Sequence, residues 1–116
     1  MKKKLFLLIL ILATTCFSCS NISVNEIYIN NKTGNDKYPG TLKKPLKSIS
    51  EANKRVQIKP GSIFFAGAQV FEGTLILNNI QGADSVPIVI SSYGEGRAVI
   101  NGGNKESVRI ENCKNI

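Results

Sequence analysis

Residues Pro87 to Gly103 read PIVISSYGEGRAVINGG, and this run constrains the fold more than any other part of the chain. Two β-branched bursts, Ile88-Val89-Ile90 and Ala98-Val99-Ile100, flank a turn built on Tyr93-Gly94-Glu95-Gly96. Gly94 and Gly96 admit the positive φ that an abrupt change of strand direction needs. Strands this short, at intervals of roughly ten residues, fit a repeating all-β architecture better than a hairpin sandwich. The chain from Ser62 onward continues the pattern. Ile63-Phe64-Phe65, Thr74-Leu75-Ile76-Leu77 and Val108-Arg109-Ile110-Glu111 are further short strands, with Gly67, Gly73, Gly82, Gly102 and Gly103 at corners. Leu77-Asn78 recurs as Ile100-Asn101 after 23 residues, and Val89 as Ile110 after 21. That spacing predicts a coil of roughly 20 to 25 residues carrying two or three strands. The expected fold class is therefore a parallel solenoid whose first coils are present and whose C-terminal end is incomplete.

Upstream of the strands the pattern changes. Glu26-Ile27-Tyr28-Ile29-Asn30 alternates polar and apolar, a first strand, and residues 31–41 are dense in turn formers without any period. Ser48-Ile49-Ser50-Glu51 is a capping box: the Ser48 hydroxyl takes the Glu51 amide, and the Glu51 carboxylate reaches back to the Ser48 amide. Behind it Ile49, Ala52 and Val56 fall on one helical face, predicting a short helix over Ile49 to Gln57 that Lys59-Pro60-Gly61 stops. An open stack of β-coils exposes apolar side chains and unpaired edges at its end, so one amphipathic helix there serves as a cap.

The first residues belong to a targeting segment. Met1-Lys2-Lys3-Lys4 is a basic n-region, and Leu5 to Ala13 is an apolar run of nine residues. That is short of the about 20 a membrane-spanning helix needs but right for a secretory signal. Cys16 and Cys19 close the segment in the manner of a bacterial lipobox. Ser18 supplies a small residue before Cys19, which favours Cys19 as the lipidated residue over Cys16, with an ordinary secretory cut as the remaining alternative. The chain thus divides into a signal peptide at 1–19 cleaved before Cys19, a tether at 20–25, and the cap and first coils at 26–116. It is expected to be exported and held in the bacterial outer membrane by its lipid, facing the periplasm or the cell surface.

Composition excludes several chemistries. There is no histidine, which removes histidine-based catalysis and zinc chemistry from this stretch, and Cys113 is the one cysteine outside the signal region. Its neighbours Ile110 and Ile116 make it a small apolar residue packed inside a coil. The formal charge is +7; without Lys2, Lys3 and Lys4 there are 12 basic against 8 acidic residues, a net +4. Lys43, Lys44, Lys47, Lys54, Arg55 and Lys59 hold most of the excess, as a solvated face or as an attractor for an anionic polymer. Without aromatic interleaving the cluster does not describe a nucleic-acid surface. The carboxylates Glu26, Asp36, Glu51, Glu72, Asp84, Glu95, Glu106 and Glu111 are scattered singly, with no pair at coil spacing. No catalytic, cofactor-binding or metal-binding residue is nominated within the segment.

The order of elements resembles the N-terminal region of right-handed parallel β-helix proteins of the pectin lyase-like fold, and among them the secreted bacterial polysaccharide lyases. Tyr28, Thr33-Gly34-Asn35-Asp36, Pro39-Gly40-Thr41, Pro45-Leu46-Lys47-Ser48-Ile49, Ala52, Pro60-Gly61 and Phe71 carry the first half of the resemblance. Gly73-Thr74, Pro87-Ile88, Ser92-Tyr93-Gly94 and Ile100-Asn101-Gly102-Gly103 carry the second. It implies a full-length protein acting on polysaccharide by β-elimination at uronic acids, with Ca²⁺ there to neutralise the uronate. Arg97, Lys105 and Arg109 are chemically able to touch a uronate, and surface positions explain them equally. In the same frame Tyr28 and Phe71 pack the cap or the interior, and Asn101 bonds to a neighbouring coil or closes a plain Asn-Gly turn. A non-catalytic carbohydrate-binding or adhesive solenoid, or an inactive truncated product, would show the same residues.

Lipidation at Cys19 is open to direct measurement. Labelled palmitate incorporates into the wild-type chain and is lost in Cys19→Ala; label that persists in that variant removes the assignment.

Overall fold

The computed structural model describes residues 25–116. The signal peptide and both candidate lipidation residues, Cys16 and Cys19, lie outside them.

Strand β1 (Glu26–Ile29) alternates as its sequence requires, burying Ile27 and Ile29 while Glu26 and Tyr28 face outward. After a long loop and the helix α1 (Ile49–Ile58), the chain enters β2 (Ser62–Ala66), β3 (Val70–Glu72) and β4 (Leu75–Asn78). It then makes β5 (Ile90–Tyr93), β6 (Val99–Asn101) and β7 (Val108–Glu111). These strands build three small sheets, ordered β1-β2-β5, β3-β6 and β4-β7, and every pairing is parallel. A parallel pair needs a crossover of a dozen residues or more. The loop and α1 carry the chain from β1 to β2, and from β2 onward each crossover consists of strands belonging to the other two sheets, so β2–β4 and β5–β7 visit the three sheets in the same order.

In-register parallel pairing stacks like upon like. Ile27 aligns with Ile63 and Ile63 with Ile90; Phe71 aligns with Ile100, and Leu77 with Ile110. Phe65 and Phe71 meet edge to face with centroids 5.0 Å apart, joining two sheets across the interior. The first pass is closed: Ile63, Leu75 and Leu77 are fully buried. The second is not. Val108 is 42% and Ile110 48% exposed although they stack on those leucines.

Helix α1 closes the other end with Ile49, Ala52 and Val56, packing against β4 and β1. Its polar residues do a second job there. Asn53 donates from Nδ2 to the Thr74 carbonyl (2.9 Å) and accepts at Oδ1 from the Ile76 amide (2.9 Å). Gln57 donates to the Asn78 carbonyl (3.0 Å). Two side-chain amides thus supply hydrogen bonds that a neighbouring strand would make to the free edge of β4.

The spacing of paired strands differs from expectation. Paired residues lie 27 apart between β2 and β5, 29 between β3 and β6, and 33 between β4 and β7. Leu77 therefore faces Ile110 rather than Ile100. The cause is unequal corners: residues 67–69 correspond to 94–98, and residues 73–74 to 102–107. The structure adds strand β3 to the expected set, and the PIVI burst becomes a strand only from Ile90. Gly94 and Gly96 do take positive φ, at 75° and 84°. Gly67 meets a second constraint, since a Cβ there would collide with the Glu95 carbonyl of the next pass.

Candidate functional site

A cleft of about 420 Å³ lies at the N-terminus of α1. It is lined by Asn31, Asp36, Lys47, Ser48 and Ile49 and by Val70, Phe71 and Glu72 of β3. The loop after β1 is fixed there by amide pairs. Asn31 donates from Nδ2 to the Val70 carbonyl (2.6 Å), its own amide donates to Gln69 Oε1 (2.9 Å), and Gln69 Nε2 donates to Asn30 Oδ1 (3.0 Å).

Asp36 is the most strongly engaged group in the cleft. It accepts from the Lys47 amide (3.0 Å), the Ser48 amide (2.9 Å) and the Ser48 hydroxyl (2.8 Å). Partial burial works to raise its pKa, but the hydroxyl and backbone donors outweigh it and hold the carboxylate below its ordinary range. This corrects the capping box in one half. The Ser48 hydroxyl accepts from the Glu51 amide (3.2 Å) as expected, but Asp36, not Glu51, receives the Ser48 amide. Glu51 turns instead to Arg55, whose Nε lies 2.8 Å away.

The basic cluster divides along the same lines. Arg55 is half-buried and donates to the carbonyls of Asp36 and Tyr38, both at 3.1 Å, so it braces the loop against the helix. Lys54 lies 3.8 Å from Glu51, and Lys44 sits over the Tyr38 ring, 5.8 Å from its centroid. Lys43, Lys47 and Lys59 are exposed, and Lys47 borders the cleft.

Most carboxylates hold structural partners. Glu26 accepts from the Tyr28 hydroxyl (2.7 Å), Glu72 from Asn101 (3.3 Å) and Asp84 from Asn115 (2.9 Å), while Glu106 pairs with Arg109. With Asp36 and Glu51, that engages six of the eight acidic residues of the sequence. In the ladders Glu72 lies opposite Asn101 and Glu111 opposite Asn78, so neither register sets two carboxylates side by side. Among the described residues no three His, Cys, Asp or Glu side chains gather as a metal site would require. Arg97 and Lys105 are exposed.

Asn101 does both things open to it, donating to Glu72 of the previous pass and accepting from the Gly103 amide at 3.1 Å. Phe71 is buried, whereas Tyr28 faces outward rather than into the interior. Cys113 is a half-buried thiol against the core, with Sγ 3.2 Å from the Glu111 carbonyl and 3.5 Å from that of Leu77.

No protein-family model matches this chain, and neither does any curated protein. Solved structures do match, among them two crystal structures of GH136 lacto-N-biosidase from Eubacterium ramulus, a selenomethionine derivative and the native protein. Identity is 35% and 36% over 62% and 61% of this chain, with TM-scores of 0.55 and 0.54. The chain spans 12% of the length of each. That enzyme is a glycoside hydrolase, which corrects the resemblance to pectin lyase-like proteins and the β-elimination it implied. The three small parallel sheets do not mark a pectin lyase-like protein either. The residues behind that resemblance build corners, a capped helix and loop ties. They record how a chain turns, not which bond is cleaved.

Asp36 yields a signed pH prediction. Asp36→Ala removes the acceptor of three donors around the helix cap and costs about 1–2 kcal/mol at neutral pH. A group with a lowered folded pKa stabilises above its unfolded value, near 3.9, and loses that contribution as pH falls through the folded value. Thermal melts of wild type and variant therefore differ by a constant amount from about pH 7 to about pH 5 and converge below about pH 4. A gap that persists unchanged at low pH contradicts the assignment.

Proposed function

We propose that this chain is the helix-capped portion of a carbohydrate-active protein related to the glycoside hydrolases, and that it contacts neutral oligosaccharide. The reading is carried by the 35–36% identity to a lacto-N-biosidase at TM-scores of 0.54–0.55. In it, the two passes through three parallel sheets are successive coils of a solenoid, and α1 with its loop is the plug at one end. The segment is exported and lipid-anchored at Cys19, on the strength of its basic n-region and nine-residue apolar run.

Within such a protein this segment supports and binds rather than cleaves. Glycoside hydrolysis calls for two carboxyl groups about 5–5.5 Å apart for retention, or about 6.5–9.5 Å for inversion, one of them protonated at working pH. Asp36 is held ionised by its donors and so is a poor proton donor. Glu51 and Glu106 are tied to arginines. No acid–base pair is assigned among the described residues. What remains suits saccharide binding: a cleft with Asn31, Lys47 and Glu72 at its polar rim and half-exposed Val70 between them.

The full chain is titrated with the disaccharide lacto-N-biose and, separately, incubated with a chromogenic lacto-N-bioside. Saturable binding without release of the chromophore is the expected result. Failure to bind any neutral oligosaccharide overturns the carbohydrate reading; turnover by this chain overturns its supporting role.

A further inference from the structure

The outer face of sheet β1-β2-β5 carries three aromatic rings. By strand alternation Tyr28, Phe64 and Tyr93 point away from the buried residues Ile27, Ile29, Ile63 and Phe65. Tyr28 and Phe64 are in register and stack at 5.2 Å with a 24° interplanar angle. Tyr28 and Tyr93 belong to strands separated by β2, so their backbones are about 10 Å apart. Their ring centroids are nevertheless 5.2 Å apart, at 82°. Both rings must therefore lean toward each other across β2, where only small side chains flank Phe64. Ala66, paired with Tyr93, is 5% exposed although alternation turns it outward, consistent with rings lying over it.

An aromatic cluster on an outward sheet face, each ring half-buried and so partly in water, is unusual packing for a surface that needs only polar residues. Its border is polar. Glu26 receives the Tyr28 hydroxyl at 2.7 Å through one carboxylate oxygen, which leaves acceptor capacity on the other. The exposed Ser91 lies in register beside Phe64. The Tyr28 hydroxyl is accordingly held protonated, its pKa raised by the bond to Glu26, then by burial and the Glu26 charge.

We infer that the cluster of Tyr28, Phe64 and Tyr93 seats one pyranose unit of a neutral oligosaccharide, separate from the cleft at α1, with Tyr93, set across the stacked Tyr28 and Phe64 rings, offering the ring face. The inference rests on the carbohydrate reading above and names a second place for contact. A pyranose presents a face of C–H groups with partial positive charge, and an aromatic face carries the complementary negative quadrupole. Its equatorial hydroxyls then project sideways, toward acceptors and donors such as Glu26 and Ser91. An anionic sugar is disfavoured beside the Glu26 carboxylate.

The test uses the full chain with lacto-N-biose, followed by tyrosine ring resonances and fluorescence. The sequence has no tryptophan and three tyrosines, so the signal is confined to Tyr28, Tyr38 and Tyr93. The rings of Tyr28 and Tyr93 shift on titration while Tyr38 does not. Tyr93→Leu, which keeps apolar cover over Ala66, weakens binding about five- to tenfold. Tyr93→Phe, which keeps the ring, binds within about twofold of wild type. Binding by wild type with Tyr93→Leu unaffected, or with Tyr38 alone shifting, overturns this seat and leaves the carbohydrate reading standing. Wild type that binds no neutral sugar overturns both. The ring shifts are read on the wild-type chain, so a variant that fails to fold does not remove the test.

Discussion

A parallel ladder fixes where the next inward side chain falls, and it leaves an edge that something must satisfy. Both consequences run through this protein. Register places Ile27, Ile63 and Ile90 in one column and Leu77 and Ile110 in another, so each pass forms the floor for the next. At one end the ladder is terminated by side-chain amides: Asn53 and Gln57 bond the edge of β4, and Asn31 bonds the edge of β3. An asparagine amide presents a donor and an acceptor much as a peptide does, so a helix and a loop substitute for a strand without exposing a pairing edge. At the far side Val108 and Ile110 face inward and remain half-exposed, which measures how much of their stacking surface the described residues leave uncovered.

Local chemistry in this chain was legible where it depended on neighbours in sequence. The Ser48 cap, the amphipathic face of Ile49, Ala52 and Val56, the stop at Lys59-Pro60-Gly61 and the positive φ of Gly94 and Gly96 all follow from short windows. What failed depended on partners far away. Asp36 reaches Ser48 across 12 positions and displaces Glu51 from the capping box. The expected spacing of 20 to 25 residues does not match the pairing, because two corners are longer between β5 and β7 than between β2 and β4, which shifts every later residue out of a fixed repeat. A better signal was present in LILNNIQG at 75–82 and VRIENCKN at 108–115, spaced by 33. Asn79 and Asn112, at equivalent corners, both adopt left-handed φ, at 56° and 53°. Likewise the alternation that buried Ile27 and Ile29 already placed Tyr28 outside.

The same residues explain why activity was harder to read than architecture. Glycines, prolines and caps specify turns, and turns do not distinguish a polysaccharide lyase, which the resemblance implied, from the glycoside hydrolase that the solved structures show as similar. The carboxylates that would distinguish the two are mostly engaged here, with Asp36 on a helix cap, Glu51 on Arg55, Glu106 on Arg109 and Glu26 on Tyr28. Function in this segment is therefore proposed through surfaces: a cleft edged by amides and Lys47, and an outward aromatic face. Both are consequences of the ladder, since register alone brings Tyr28 beside Phe64 and sets Glu72 opposite Asn101.

Backbone nuclear Overhauser contacts between strands test that ladder most directly. The account predicts parallel-type Hα-to-amide contacts linking the β4 and β7 backbones with Leu77 opposite Ile110, and β3 and β6 with Phe71 opposite Ile100. Contacts that set Leu77 opposite Ile100, or close Hα–Hα pairs of antiparallel type between any of these strands, would contradict it.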